Sequence, residues 1–144
     1  MKVLFPGSFD PFTIGHDDIV KRTLAFADEV VIAIGVHPLK HGATTPEQRK
    51  AQIEETYKKE SRVTVEIYQG LTTDFAKRLG IGVIVRGVRN TVDFEYEKNI
   101  AEVNRQLTGV ETILLFSDPK YAAVSSSVVR ELESYGKDTH TFLP

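Results

Sequence analysis

Short continuous apolar runs alternate along the chain with longer stretches in which apolar residues recur every three or four positions. Residues 2–5 form an apolar run stopped by Pro6-Gly7 and predict a strand. Over residues 15–27, Ile19, Val20, Leu24 and Ala27 lie at helical spacing. Residues 30–34 are an unbroken, mostly branched apolar run, as expected of a strand covered on both faces. Thr45-Pro46-Glu47-Gln48 marks a helix start: Thr45 caps, Pro46 suits the first helical position, and Gln48 completes a capping box. That helix is predicted to run to about residue 59. Residues 63–67 predict a third strand, Thr72 or Thr73 a short helix closed by Gly80, and residues 83–85 a fourth strand. Asn90 or Thr91 opens a long helix ending near Gly109, residues 112–116 predict a fifth strand, and residues 125–127 precede a last helix closed by Gly136.

Strands alternating with helices imply an α/β fold. The expected architecture is a single domain over residues 1–144, a Rossmann-like doubly wound sheet of five parallel strands with helices on both faces. Ligands of such sheets bind beyond the carboxyl ends of the strands, where strand order reverses. Composition narrows the chemistry. The chain has no cysteine, which excludes disulfides, thiolate metal sites and a cysteine nucleophile. Eighteen basic against twenty acidic residues give a net charge of -2, which argues against a general nucleic-acid binder but leaves room for a local cationic pocket. Residues 1–7 are too short and too soon broken for a signal peptide, and no apolar stretch approaches the roughly 20 residues that cross a membrane. The cytoplasm is the expected location. No G-x-G-x-x-G follows the first strand, so a dinucleotide-binding reading fails.

Candidate chemistry falls at the strand ends. Gly7-Ser8-Phe9-Asp10-Pro11-Phe12-Thr13-Ile14-Gly15-His16 joins the first strand to the first helix. Gly7 and Gly15 allow close backbone approach, free amides at the helix start favour phosphate, Ser8 adds a hydroxyl, and His16 is expected to face the same phosphates. Lys40, Arg86 and Arg89 are each expected just beyond a strand end, where a run of cations is costly unless an anion joins them. Asp93 and Glu97 sit one helical turn apart, so one of them can brace an arginine. Taken singly, His16 is a surface histidine, Lys40 a solvated side chain and the three serines a helix cap. Their gathering at strand ends points to a phosphate-bearing anion.

Thr13-Ile14-Gly15-His16 resembles the T/HxGH signature of the nucleotidyltransferase superfamily, and Val124 with Ser125, Ser126 and Ser127 resembles its serine-rich second motif. More narrowly, residues 6–11, Arg86-Gly87-Val88-Arg89, Asp93-Phe94-Glu95-Tyr96-Glu97 with Asn104-Arg105, and residues 124–127 are similar to the phosphopantetheine adenylyltransferase family over nearly the whole chain. The resemblance implies transfer of AMP from ATP to 4'-phosphopantetheine, giving dephospho-coenzyme A and pyrophosphate by direct in-line attack without a covalent intermediate. It assigns catalysis to His16, Lys40 and Arg89, and ATP binding to Ser8, Phe9, His16, Gly87, Val88, Arg89, Glu97, Tyr121, Ala122, Ala123, Val124, Ser125, Ser126 and Ser127. It assigns the acceptor to Ser8, Lys40, Thr72 and Arg86. It further implies magnesium as cofactor, with no protein ligand assigned to it, feedback binding of coenzyme A, and a homo-oligomer, specifically a homohexamer. The chain departs from the family at several positions: Ser8 stands where threonine is frequent, Thr72 where an apolar residue is commoner, Tyr121 where tryptophan is frequent, and Gly42-Ala43-Thr44 lacks the aromatic usual before the second helix. The alternatives are a cytidylyltransferase, a nicotinamide mononucleotide adenylyltransferase, or a non-catalytic nucleotide-binding module. Cytidylyltransferases usually carry an arginine-threonine run near the second motif, which residues 124–127 lack; intact His16, Lys40 and Arg89 oppose an idle module.

Overall fold

The computed structural model describes residues 1–39 and 42–144. Its strands are β1 (Lys2–Gly7), β2 (Glu29–Val36), β3 (Val63–Gln69), β4 (Val83–Val88) and β5 (Glu111–Phe116), and its helices α1 (Ile14–Thr23), α2 (Pro46–Thr56), α3 (Thr72–Arg78), α4 (Thr91–Thr108) and α5 (Ser126–Ser134). The strands form one parallel sheet in the order β3-β2-β1-β4-β5. The chain winds outward from β1 to β3, then crosses to the other side of β1 for β4 and β5, so strand order reverses between β1 and β4.

The central strands bury both faces. On one face Val3, Phe5, Val30, Ile32, Ile34 and Val85 pack with Ile19 and Val20 of α1 and Ile53 of α2. On the other, Leu4, Val31, Ala33 and Ile84 pack with Phe75 and Ala76 of α3. Each branched side chain fully buried in this way is worth about 1.5–3 kcal/mol, which is why β1 and β2 read as continuous apolar runs while the edge strand β3 alternates. The helix α4 lies beside β4 and β5 but buries only Glu97. Among the described residues no helix is long and apolar enough to cross a membrane.

Several boundaries differ from the sequence expectation, each for a local reason. Pro6-Gly7 does not stop β1: Pro6 pairs with Ala33 and Gly7 with Ile34. Pro6 is tolerated because β1 and β4 are joined only at Leu4–Ile84, and the Pro6 carbonyl accepts from the Arg86 side chain instead of a strand amide. The fourth strand likewise runs on through Arg86 and Gly87, which pair with Leu114 and Leu115. Arg86 is therefore a strand residue rather than the first residue beyond a strand. Helix α1 ends at Thr23, whose hydroxyl bonds back to the Ile19 carbonyl at 2.7 Å; the residues after it turn toward β2 while Leu24 and Ala27 still pack on the core. The expected capping box of α2 is present, with Thr45 Oγ1 accepting from the Gln48 amide and Gln48 Oε1 from the Thr45 amide. That helix stops at Thr56, because Tyr57 turns out of it and drops its ring into the core. Two 3-10 turns, Pro119–Tyr121 and His140–Phe142, carry no periodic signal in the sequence.

The Tyr57 hydroxyl donates to Asp17 Oδ1 at 2.6 Å and ties α2 to α1. Burial, reinforced by the Asp17 carboxylate, pushes the Tyr57 phenol far above its ordinary range. A buried hydrogen bond to a charged group contributes about 1.5–3 kcal/mol. Tyr57→Phe is expected to lower the unfolding free energy by about that much, read as a lower denaturant midpoint at unchanged m-value; an unchanged midpoint would show that the link is not made in solution.

Candidate active site

Neighbouring parallel strands normally keep a full ladder. Here β1 and β4 share one bridge and then part, opening a crevice at their carboxyl ends. Arg86 fills its base. Its Nη1 donates to the Pro6 carbonyl, and its Nε and Nη2 donate to the Glu97 carboxylate at 3.0 and 2.7 Å. Glu97 is 7% exposed, so α4 delivers a buried carboxylate to hold a guanidinium across the gap.

The turn leaving β1 is shaped by close packing. Phe9 has φ of 52°, the left-handed region that a bulky side chain rarely adopts. Its ring is held by Phe5 at 5.2 Å, Phe12 at 5.3 Å and the His16 ring at 5.0 Å between centroids. A Cβ on Gly7 would lie 2.9 Å from the Phe9 ring, so only glycine fits there. Strain of about 1–3 kcal/mol of this kind concentrates at functional sites, where surrounding packing holds it.

His16 sits at the third position of α1 in a capping box. Thr13 Oγ1 accepts from the His16 amide, and His16 Nδ1 accepts from the Thr13 amide at 2.9 Å. A backbone N–H can only donate, so Nδ1 must be unprotonated and the neutral ring carries its proton on Nε2. That Nε2 has no protein partner among the described residues and is the polar atom left for the crevice. Burial among the aromatic rings, with smaller contributions from the Arg86 and Arg89 guanidiniums, holds the His16 pKa down to about 4. The histidine is thus a neutral donor at physiological pH.

The opposite wall is the start of α5. Ser125 Oγ caps the helix by accepting from the Val128 amide, and Ser126 Oγ donates to the Pro11 carbonyl at 2.7 Å, fixing this end against the β1 turn. The first amides of α5 are left free for an anion. Arg89 reaches the same space from the end of β4, its Nε donating to Asp93 Oδ2 at 3.0 Å. Burial pushes the Asp93 carboxyl up, but bonds from the Arg89 side chain and amide outweigh it and hold it below the usual carboxylate range.

Two cavities meet in the crevice. The first, about 300 Å³, is bounded by His16, Arg89, Tyr121 and residues 124–127. The second, about 480 Å³, lies between the sheet and α4, bounded by Gly35, Tyr68, Thr72, Tyr96, Ile100 and Asn104. Pro6, Gly7, Ser8, Arg86 and Glu97 border both. Ser8, Phe9, His16, Gly87, Arg89, Glu97, Tyr121, Val124, Ser125, Ser126 and Ser127 all reach the first cavity, and Ser8, Arg86 and Thr72 the second. Val88 is 3% exposed and lines neither, and neither do Ala122 and Ala123 in the turn after Tyr121. Lys40 lies outside the described residues. Glu97 grips Arg86 while Asp93 grips Arg89, so both carboxylates brace an arginine. Thr72 Oγ1 is within 2.7 Å of the Tyr68 hydroxyl, whose ring stacks on Phe75 at 4.9 Å. Sequence reading passed over Thr13, Phe5 and Phe12 as supports of His16, and Tyr68 as a wall of the second cavity. The Thr13-x-x-His16 spacing carries the capping-box signal once histidine is admitted as the acceptor at its last position.

Residues 4–132 match the family model described as cytidylyltransferase-like. A phosphopantetheine adenylyltransferase of Bacteroides fragilis is 52% identical over 143 residues, covering 99% of this chain and 95% of that protein. The protein of the same name from Flavobacterium psychrophilum is 48% identical with the same coverage of each. Among solved structures, a bifunctional NMN adenylyltransferase/ADP ribose pyrophosphatase from Francisella tularensis superposes with a TM-score of 0.77 at 16% identity over 99% of this chain, a likeness of fold; the chain spans 44% of that longer protein. The T/HxGH turn, the serine-rich helix start, the cavities they border and this identity over nearly the full length place the chain in the phosphopantetheine adenylyltransferase family, within the cytidylyltransferase-like nucleotidyltransferases.

Proposed function

We propose that this chain transfers the adenylyl group of ATP to the phosphate of 4'-phosphopantetheine, giving dephospho-coenzyme A and pyrophosphate. The observation that carries the reading is the meeting of two cavities at Gly7, Ser8 and Arg86, one bordered by the phosphate-binding motifs and the other lying between sheet and helix. The name shared by relatives at 52% and 48% identity selects the acceptor.

The acceptor phosphate, with a second pKa of about 6, is already ionised at neutral pH and needs no general base. One of its oxygens forms a bond to the alpha phosphorus as the bond from that phosphorus to pyrophosphate breaks. Positioning and charge stabilisation account for the acceleration. His16 Nε2–H donates to a non-bridging alpha oxygen and keeps its proton. The free amides of α5 receive the outer phosphates, and Arg89 exchanges Asp93 for phosphate oxygen. Arg86 and Ser8, on the wall common to both cavities, hold the acceptor phosphate, and Thr72 borders its pantetheine arm. Lys40 is assigned to phosphate charge on the family resemblance alone.

Nucleotidyltransferases generally use a divalent cation, and we assign magnesium, which when bound would supply positive charge to the leaving pyrophosphate. The described residues contain no cluster of three or more metal-ligating side chains, and Asp93 and Glu97 are taken by arginines, so the triphosphate is the fitting ligand for that ion. Coenzyme A shares the pantetheine arm of the product and is assigned the same cavities as a feedback ligand. Self-association is supported by the exposed apolar stripe Val92, Tyr96, Ile100, Val103 and Leu107, spaced every three or four residues along α4, and a homohexamer is assigned on the family resemblance alone. We assign the protein to the cytoplasm, the compartment expected for a step of coenzyme A synthesis.

In a pyrophosphate-release assay, ATP with 4'-phosphopantetheine is expected to turn over, with CTP giving far less product. His16→Ala is expected to lower turnover about a hundredfold or more, as for loss of a transition-state donor, with ATP affinity changed only several-fold. Equal rates with CTP, turnover only with nicotinamide mononucleotide, or tight ATP binding without release would each contradict the proposal. The protonation state of His16 has its own test. The folded ring refuses a proton that the unfolded chain accepts near pH 6.5, so its contribution to stability falls as pH drops from there toward 4. The His16 ring resonance is expected to titrate with a midpoint near 4 in NMR spectra of the free protein; a midpoint between 6 and 7 would contradict the neutral-donor role.

A further inference from the structure

A buried polar cluster lies beside the crevice. Arg49 of α2 and Asp10 of the β1 turn are 7% and 5% exposed. Their closest approach, Arg49 Nε to Asp10 Oδ1, is 3.9 Å, and Nε has no hydrogen-bond partner. Both groups are spent on other atoms instead. Arg49 Nη1 donates to the Ser8 carbonyl at 2.8 Å and Nη2 to the Thr44 carbonyl at 2.9 Å. Asp10 Oδ2 accepts from the Ala43 amide at 2.7 Å and Oδ1 from the Thr44 hydroxyl at 2.9 Å. Gly42 lies against the pair so tightly that a Cβ there would come within 2.4 Å of Asp10 Oδ2 and 2.9 Å of Arg49 Nη2.

A loosely matched buried ion pair is weak support for stability, since desolvation cancels most of its attraction. What this pair does is join two segments. One is the turn carrying Ser8, which borders both cavities. The other is residues 42–44, which begin two positions after Lys40 in sequence. A third cavity of about 710 Å³ lies against the pair and shares Ser8, Gly35, Val36 and His37 with the acceptor cavity, so the Ser8 turn borders both while residues 42–44 line the third. From α5, Arg130 Nη1 also donates to the Asp10 carbonyl at 2.6 Å, tying the serine-rich wall to the same cluster.

We propose that Arg49 and Asp10 are positioning residues for the transfer. They touch neither substrate. They fix the Ser8 turn to the 42–44 segment, so that the acceptor phosphate is held in line with the alpha phosphorus. Misplacement of a reacting group by about 1 Å costs on the order of a hundredfold in rate. The inference rests on the adenylyl-transfer reading.

Steady-state kinetics of Arg49→Lys, Arg49→Gln and Gly42→Ala test it, with thermal unfolding and ATP titration of each variant. Lysine keeps the charge but cannot hold two carbonyls in one fork, and alanine at position 42 displaces the pair with both charges intact. All three are expected to lose about ten- to a hundredfold in kcat and to raise the acceptor KM, with ATP affinity within about threefold of wild type. Val110→Ala, a core truncation just before β5 at the end of the sheet opposite the crevice, is expected to destabilise the fold but keep its kcat and serves as the control for stability alone. If any one of the three does not fold, the others carry the same signature. Wild-type kcat and acceptor KM in the folded variants would overturn the proposal. So would losses that track the melting temperature and strike ATP and acceptor equally, as a purely structural role requires. Wild-type protein inactive with 4'-phosphopantetheine but active with another acceptor would instead sink the assignment of substrate, and the same variants would then be read with that acceptor.

Discussion

The Arg86 guanidinium, held between the Pro6 carbonyl and the Glu97 carboxylate, is the interaction on which the site depends. Two parallel strands at the centre of a sheet gain most by pairing along their whole length. β1 and β4 do so only at Leu4–Ile84, and beyond that point Arg86 takes the place of strand-to-strand bonds. Its partner Glu97 is the one buried residue of α4, so the same contact that keeps the crevice open also sets the helix that walls the second cavity. Removing the Arg86 charge would leave the Glu97 carboxylate buried without its ion-pair partner, a larger loss than the pair itself contributes.

Electrostatics at rest follow from this arrangement. The two arginines of the crevice are paired, Arg86 with Glu97 and Arg89 with Asp93. The protein carboxylates hold the guanidiniums in place at the crevice. His16 adds no charge, because its Nδ1 is committed to the Thr13 amide and its ring lies among Phe5, Phe9 and Phe12. A site of paired charges and fixed neutral donors is consistent with a chain whose net charge is slightly negative, and it needs little rearrangement when negative charge moves from the alpha phosphate to the leaving group.

Much of this was legible in the sequence, for identifiable reasons. Residues 30–34 are apolar throughout because β2 is covered on both faces, and Thr45-Pro46-Glu47-Gln48 marks a helix start through the capping bonds it makes. The turn from Gly7 to His16 and the serines at 125–127 lie on one cavity, as motifs at the carboxyl ends of parallel strands should. What stayed hidden depends on pairing across the sheet. Pro6-Gly7 reads as a stop, and only the divergence of β1 from β4 explains why the strand continues. Arg86 reads as a loop residue because a charge inside a central strand is unexpected until Glu97 is seen opposite it. Arg49 and Asp10 are thirty-nine positions apart, and no local periodicity links them.

The central claim is that both substrates occupy the crevice together and that the acceptor attacks the alpha phosphorus directly across the wall formed by Gly7, Ser8 and Arg86. The stereochemical course of the reaction tests it most directly. With ATP carrying a chiral thiophosphate at the alpha position, a single in-line displacement inverts the configuration at phosphorus, and inversion in the product is the predicted result. Retention would require two displacements through an adenylylated intermediate, in which the two substrates need never meet, and would contradict the account.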